Sequence, residues 1–155
     1  MAELYRYMTS TLTAVTFFPL VGVLALLFIN KERNDLIRWV AVGTALLTFV
    51  FSLFMLAQFD PSYPGLQLVV RAPWIQIGST WRMDYHLGLD GLNVLLVLLT
   101  TLLTPIAMFA SWTAIEERVK EYMIFFLLLE VGMTGVFLAL DLFLFYIFWE
   151  FTLVP

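Results

Sequence analysis

Two carboxylates sit where carboxylates are rare. Glu150 lies in FLFYIFWEFTLVP (143–155) and Glu130 in FFLLLEVGMTGVF (125–137), both otherwise almost wholly apolar. A charged side chain at the centre of a membrane span costs ~2.5–3.5 kcal/mol on insertion scales. Groups kept there serve by default in proton relays and ion paths. Burial favours the neutral acid, and an approaching cation favours the carboxylate. Moving a partner charge therefore loads or unloads such a group, as a proton pump requires. The competing role for each is a structural hydrogen bond or ion pair to another helix. A third acid, Asp141, lies between them and reads as the N-cap of the following helix.

The spacing sets depth. Glu150 follows Asp141 by nine residues and Glu130 precedes it by eleven, which is ~13–14 Å and ~16 Å of helix rise. A hairpin turning at Asp141 puts both near mid-membrane on adjacent helices, and rotation about the axes decides whether they face each other. Glu130 shares its helix with Gly132, Gly135 and Ala139, small residues that admit a close neighbour. His86 is the lone histidine and there is no cysteine. One histidine builds no metal site, and without thiols there is no disulfide, thiolate catalysis or cysteine-ligated cluster. No phosphate loop, nucleophile triad or haem-ligand pair is present. The chain therefore reads as holding no redox centre, cofactor or metal, and the aromatic run FLFYIFW (143–149) as packing and lipid contact.

Composition dictates the elements that must carry these acids. Of 155 residues 62% are hydrophobic and 13% charged, against about half and a quarter in soluble domains. A net charge of −4 without a basic cluster excludes nucleic acid as a partner class. The reading is an all-α polytopic membrane protein in one transmembrane domain over 1–155. Spans are expected at about 11–29, 36–59, 89–112 and 122–140. A fifth begins at 142 and is incomplete at 155, so the chain reads as an N-terminal fragment. The first apolar run lacks a cleavage site and reads as a retained span.

The loop 60–88 differs. Pro61, Pro64 and Pro73 forbid a continuous helix. The alternating runs LQLVV and WIQIG suggest a small extramembrane β-hairpin, with Trp74, Trp81 and Tyr85 at the interface. Pro105 should kink the third span, with Thr100, Thr101 and Thr104 satisfying the backbone groups it frees. The turns after spans one and three hold Lys31, Arg33, Arg38, Arg118 and Lys120, against Arg6, Arg71 and Arg82 opposite. That imbalance favours an outside N-terminus. With Arg38 counted in the turn, no span contains a lysine or arginine, so any cation for Glu150 comes from elsewhere.

YHLGLDGLNVLLVLLTTLLTPIA (85–107) and EYMIFFLLLEVGMTGVFLALDLFLFYIFWEFTLVP (121–155) resemble chain M of respiratory complex I, the counterpart of mitochondrial subunit 4. The resemblance is strong over about 81–155 and weaker over the first two spans. It implies a fragment of a fourteen-helix, antiporter-like bundle with an outside N-terminus and two inverted five-helix repeats, in a bacterial inner membrane. It carries the family's proton-carrying glutamate onto Glu150, paired with a lysine from a later, broken helix. Glu130 stays a secondary candidate, and no catalytic role transfers to His86 or Asp90. Flavin, iron–sulfur clusters and quinone are implied in partner subunits, with antiporter-like membrane subunits and lipid as neighbours. The alternatives are the large subunit of a multi-subunit sodium/proton antiporter or of a membrane-bound hydrogenase. The residues WEFTLVP (149–155) favour chain M over the antiporters. A purely structural membrane anchor predicts that Glu150→Gln is silent.

Overall fold

The computed structural model describes residues 11–62 and 64–155. The element order is α1 (Thr11–Leu27), α2 (Asn34–Gln58), β1 (Gln67–Ile77), β2 (Trp81–Leu89), α3 (Asn93–Ala110), α4 (Val119–Leu138) and α5 (Leu142–Leu153). The outside N-terminus and Arg6 concern residues outside the described set, as do the side chains of Arg71 and Trp74.

Among the described residues three helices, α2, α3 and α4, are long and apolar enough to cross a membrane. Four complete spans were expected. The described part of α1 is 17 residues, a rise of ~25 Å. It ends at Leu27 because the N–H groups of Phe28 and Ile29 donate to Ala25 and Leu26, three residues back. The described part of α5 is 12 residues. Arg38 lies inside α2 rather than in the turn. Its Nη2 donates to the Ile115 carbonyl at 2.9 Å, and its guanidinium sits 5.8 Å from the Trp112 ring centroid.

The loop does form a hairpin, but with different strands. The runs LQLVV and WIQIG belong largely to β1, and the antiparallel return strand is β2, from Trp81 to Leu89. Gly78, at φ +66°, supplies the left-handed residue of the intervening turn. Pro73 is accommodated beside a register shift in a two-stranded sheet, where a missing N–H is tolerated. Because β2 runs to Leu89, α3 starts at Asn93 and not at Leu89. The turn is held reciprocally. The Asp90 carboxylate accepts from the N–H groups of Leu92 and Asn93, and Asn93 Oδ1 accepts from Asp90 N–H.

The α4 helix packs against α1, α2, α3 and α5. Two buried apolar clusters flank its middle. One gathers Val94, Val97, Val131 and Leu138, the other Ala41, Ala45, Met123 and Leu127. Pro105 is accommodated inside α3. The Thr100 hydroxyl donates to Leu96, Thr101 to Val97 and Leu98, and Thr104 to Thr100. None of these acceptors is the Thr101 carbonyl that the proline leaves unpaired, so the expected compensation takes other carbonyls. An i−4 hydroxyl reaches only the carbonyl one turn behind it.

Candidate functional site: two carboxylates on the α4–α5 hairpin

Asp141 fixes where α5 begins. Its φ of −96° and ψ of 136° are extended, and its carboxylate accepts from the N–H groups of Phe143 and Leu144. This is the N-cap read from the sequence. The same side chain accepts from Asp84 N–H at 3.3 Å, tying the helix start to β2. On the other side of the turn, Ala139 bridges Leu87 and Leu140 N–H donates to the His86 carbonyl at 2.9 Å. The hairpin strand therefore ends α4 and starts α5.

Two glycines set the contact between these helices. A Cβ on Gly132 would lie 2.6 Å from Thr152 Cγ2, and one on Gly135 would overlap the Phe148 ring. The close approach predicted from small residues is present, and it fixes the antiparallel register. Gly135 stands level with Phe148 and Gly132 with Thr152. Glu150 thus stands level with about Met133–Thr134, offset from Glu130 by ~5 Å along the axis at 1.5 Å per residue.

Rotation separates the two acids. The buried positions of α5 are Leu144 and Phe148, a face that Glu150 does not share at 100° per residue. Glu150 is exposed on the outer side of α5, one turn beyond the exposed Tyr146. Glu130 is 0% exposed at the centre of α4. Similar depth therefore does not bring the carboxylates together: one faces into the bundle of α1–α4 and the other out of it.

Around Glu130 the bundle is polar in a way the sequence reading did not anticipate. Thr16, Thr48, Ser52, Thr101, Thr104 and Thr134 are all buried. Ser52 and Thr101 share a hydrogen bond of 2.8 Å between α2 and α3. Gly22 lies against Thr44, which sets α1 on α2 so that Thr16 comes level with the residues near Ser52. Thr100 and Thr104 line a cleft with Leu129 and Met133, placing Glu130 at the same level. Hydroxyls from four helices, α1 to α4, thus form a layer across the bundle at the level of one carboxylate. The available signal was the recurrence of Thr and Ser at 44, 48 and 52 and at 100, 101 and 104, spacings of three to four that share one helix face.

Asp84 is buried and pairs with Arg82 at 2.6 Å. Tyr85 packs under the hairpin with its hydroxyl 2.9 Å from that of Thr13. Burial there pushes the Tyr85 phenol above its ordinary value. His86 lies in β2 with its carbonyl engaged by Leu140. Among the described residues no three His, Cys, Asp or Glu side chains gather as metal ligands.

An apolar helical bundle whose backbone polar groups are satisfied within its own helices defines an integral membrane protein. A family model described as NADH-ubiquinone oxidoreductase chain 4, amino terminus, matches residues 65–141. NADH-quinone oxidoreductase subunit M of Rhodobacter capsulatus is 44% identical over 96% of this chain and 28% of its own length. Subunit M of Rickettsia conorii is 39% identical over 90% of this chain and 29% of its own. NADH-ubiquinone oxidoreductase chain 4 of Arabidopsis thaliana is 38% identical over 93% of this chain and 28% of its own. The chain belongs to the subunit M/chain 4 family of NADH–quinone oxidoreductases. It spans less than a third of the length of these relatives.

Proposed function

We propose that this chain is the amino-terminal part of a proton-translocating membrane subunit of an NADH–quinone oxidoreductase, with Glu150 as a proton carrier. The observation that carries the reading is the 44% identity to a subunit M across 96% of the chain, together with an acid on an apolar helix. Electrons pass from NADH to quinone through flavin and iron–sulfur clusters in partner subunits. This chain contributes membrane helices and titratable groups.

Glu150 lies on the outward face of α5, available to a helix from outside this bundle. A cation on such a helix stabilises the carboxylate, and its withdrawal favours the neutral acid. Two positions of one partner charge then give two proton occupancies, and alternate access to the two membrane sides makes that exchange vectorial. The surrounding partners are antiporter-like membrane subunits and lipid, in a bacterial inner membrane with the N-terminus and the 60–88 hairpin outside.

The test is proton pumping coupled to NADH oxidation in membranes carrying Glu150→Gln. The expected result is loss of both pumping and quinone-linked turnover, while reduction of an artificial acceptor by NADH persists. Normal pumping in that variant would leave Glu150 a structural residue.

A further inference from the structure

Glu130 is the one fully buried carboxylate in the described membrane helices, and the role proposed for Glu150 makes no use of it. Neither Glu130 oxygen has a hydrogen-bond partner, and neither has the buried Thr134 hydroxyl one turn along the same face. Unpartnered buried polar groups are rare in native structures, and a cluster of them points to a missing ligand.

The surroundings decide which ligand. The α1 and α3 helices contain no titratable side chain. In α2 the titratable groups are Asp35 and Arg38, both in its first turns at the far end, and Arg38 is engaged by Ile115 and Trp112. In α5 they are Tyr146 and Glu150, both exposed on the outer side. The strand β2 contributes Arg82, Asp84, Tyr85 and His86 at the hairpin end. Glu130's own helix adds Lys120, Glu121 and Tyr122 three turns away. Among the described residues no cation stands level with Glu130, and an isolated ionised carboxylate in such a site is far more costly than the neutral acid.

The hydroxyl layer points the same way. Thr16 donates to the Leu12 carbonyl, Thr48 to Thr44 and Thr104 to Thr100, each within its own helix. A hydroxyl has one proton to give. These three groups therefore have lone pairs left and no protons to spare, so they can accept from an acid, and Thr134 is the layer hydroxyl whose proton is uncommitted.

We propose that Glu130 is a second proton-holding site, a neutral carboxylic acid that shares a buried water with Thr134 inside the α1–α4 bundle. The acid O–H donates to the water. The water donates to the Thr134 oxygen and to a hydroxyl of the layer. A water with three such partners is an ordinary buried water. The site stands on the opposite side of α5 from Glu150, and it does not depend on the role of Glu150.

The experiment is infrared spectroscopy of the protein purified with its membrane partners, in H₂O and D₂O, on wild type and four variants. The expected result is a protonated-carboxyl C=O band at neutral pH that shifts on deuteration. Glu130→Gln removes it, Glu130→Asp moves it and Glu150→Gln leaves it. Thr134→Val, which keeps the volume and removes the hydroxyl, shifts the band to the frequency of a less hydrogen-bonded acid. Absence of a Glu130-dependent band in wild type would overturn the proposal. A band unmoved by Thr134→Val would overturn the shared water. Should Glu130→Gln fail to assemble, the Glu130→Asp shift assigns the band alone. Because Glu150→Gln is scored here by a band and above by pumping, either proposal can fail without the other.

Discussion

Gly135→Ala tests the geometry that carries α5. The added methyl would overlap three atoms of the Phe148 ring. That ring cannot swing away cheaply: Phe148 is 6% exposed and lies 6.2 Å, centroid to centroid, from Phe17 of α1. Overpacking a filled site costs about 1–3 kcal/mol, and a rigid Phe148 ring with Phe17 beside it puts this case at the upper end. Replacing glycine by alanine in a helix returns about 0.8–1.0 kcal/mol. The net expectation is a loss of about 2 kcal/mol. Gly43 in the middle of α2 is the matched control, because a Cβ there meets nothing within 4 Å. Gly43→Ala should stabilise by up to about 1 kcal/mol, so the pair should differ by about 3 kcal/mol. Unfolding by SDS in mixed micelles measures both. Phe148→Leu in the Gly135→Ala background should recover part of the loss, because residues in contact couple. If Gly135→Ala is as stable as Gly43→Ala, the close α4–α5 approach is wrong, and with it the outward placement of Glu150.

Asp141→Ala removes the cap of α5 and the link to β2, and should cost about 0.5–2 kcal/mol, seen as earlier proteolysis of the 139–142 turn. Tyr85 is held above its ordinary value of 10.0 by burial. Its stabilising contribution is whole below that value and is lost as pH rises from there towards the raised folded value, so the hairpin should loosen at alkaline pH. Ultraviolet titration of the phenolate should show the late ionisation, and Tyr85→Phe should remove that alkaline step. Lys120 Nζ donates to the carbonyls of Leu27 and Ile29 at the end of α1. Lys120→Met should therefore weaken the α1–α4 contact by about 0.3–1 kcal/mol, an effect that shrinks in high salt if the attraction is mainly electrostatic.

The membrane class, the positions of the apolar segments and the Asp141 cap were all legible from residue order. Each follows from a local rule: apolar run length, proline placement, or a short acid before an apolar helix. The strand partners were less legible. LQLVV and WIQIG look like two strands, and Pro73 looks like the break between them. Only pairing with Trp81–Leu89 decides that one strand passes through the proline at a bulge. The same pairing moved the start of α3 from Leu89 to Asn93, because a backbone N–H engaged in a ladder is not available to a helix.

The two glutamates show the division most clearly. Composition determines that acids at 130 and 150 lie in apolar helices, and helix rise determines that they lie at similar depth. Neither quantity contains the rotation of a helix about its own axis. That angle is set where Gly132 and Gly135 let Thr152 and Phe148 approach, and it turns Glu150 outwards while α4, surrounded by four helices, keeps Glu130 inside. The hydroxyl layer likewise exists only once four helices are in register. The sequence by itself determined which chemistry is present and how deep it lies. The tertiary structure decided which groups meet, because contact depends on facing and register, and both are properties of packed pairs.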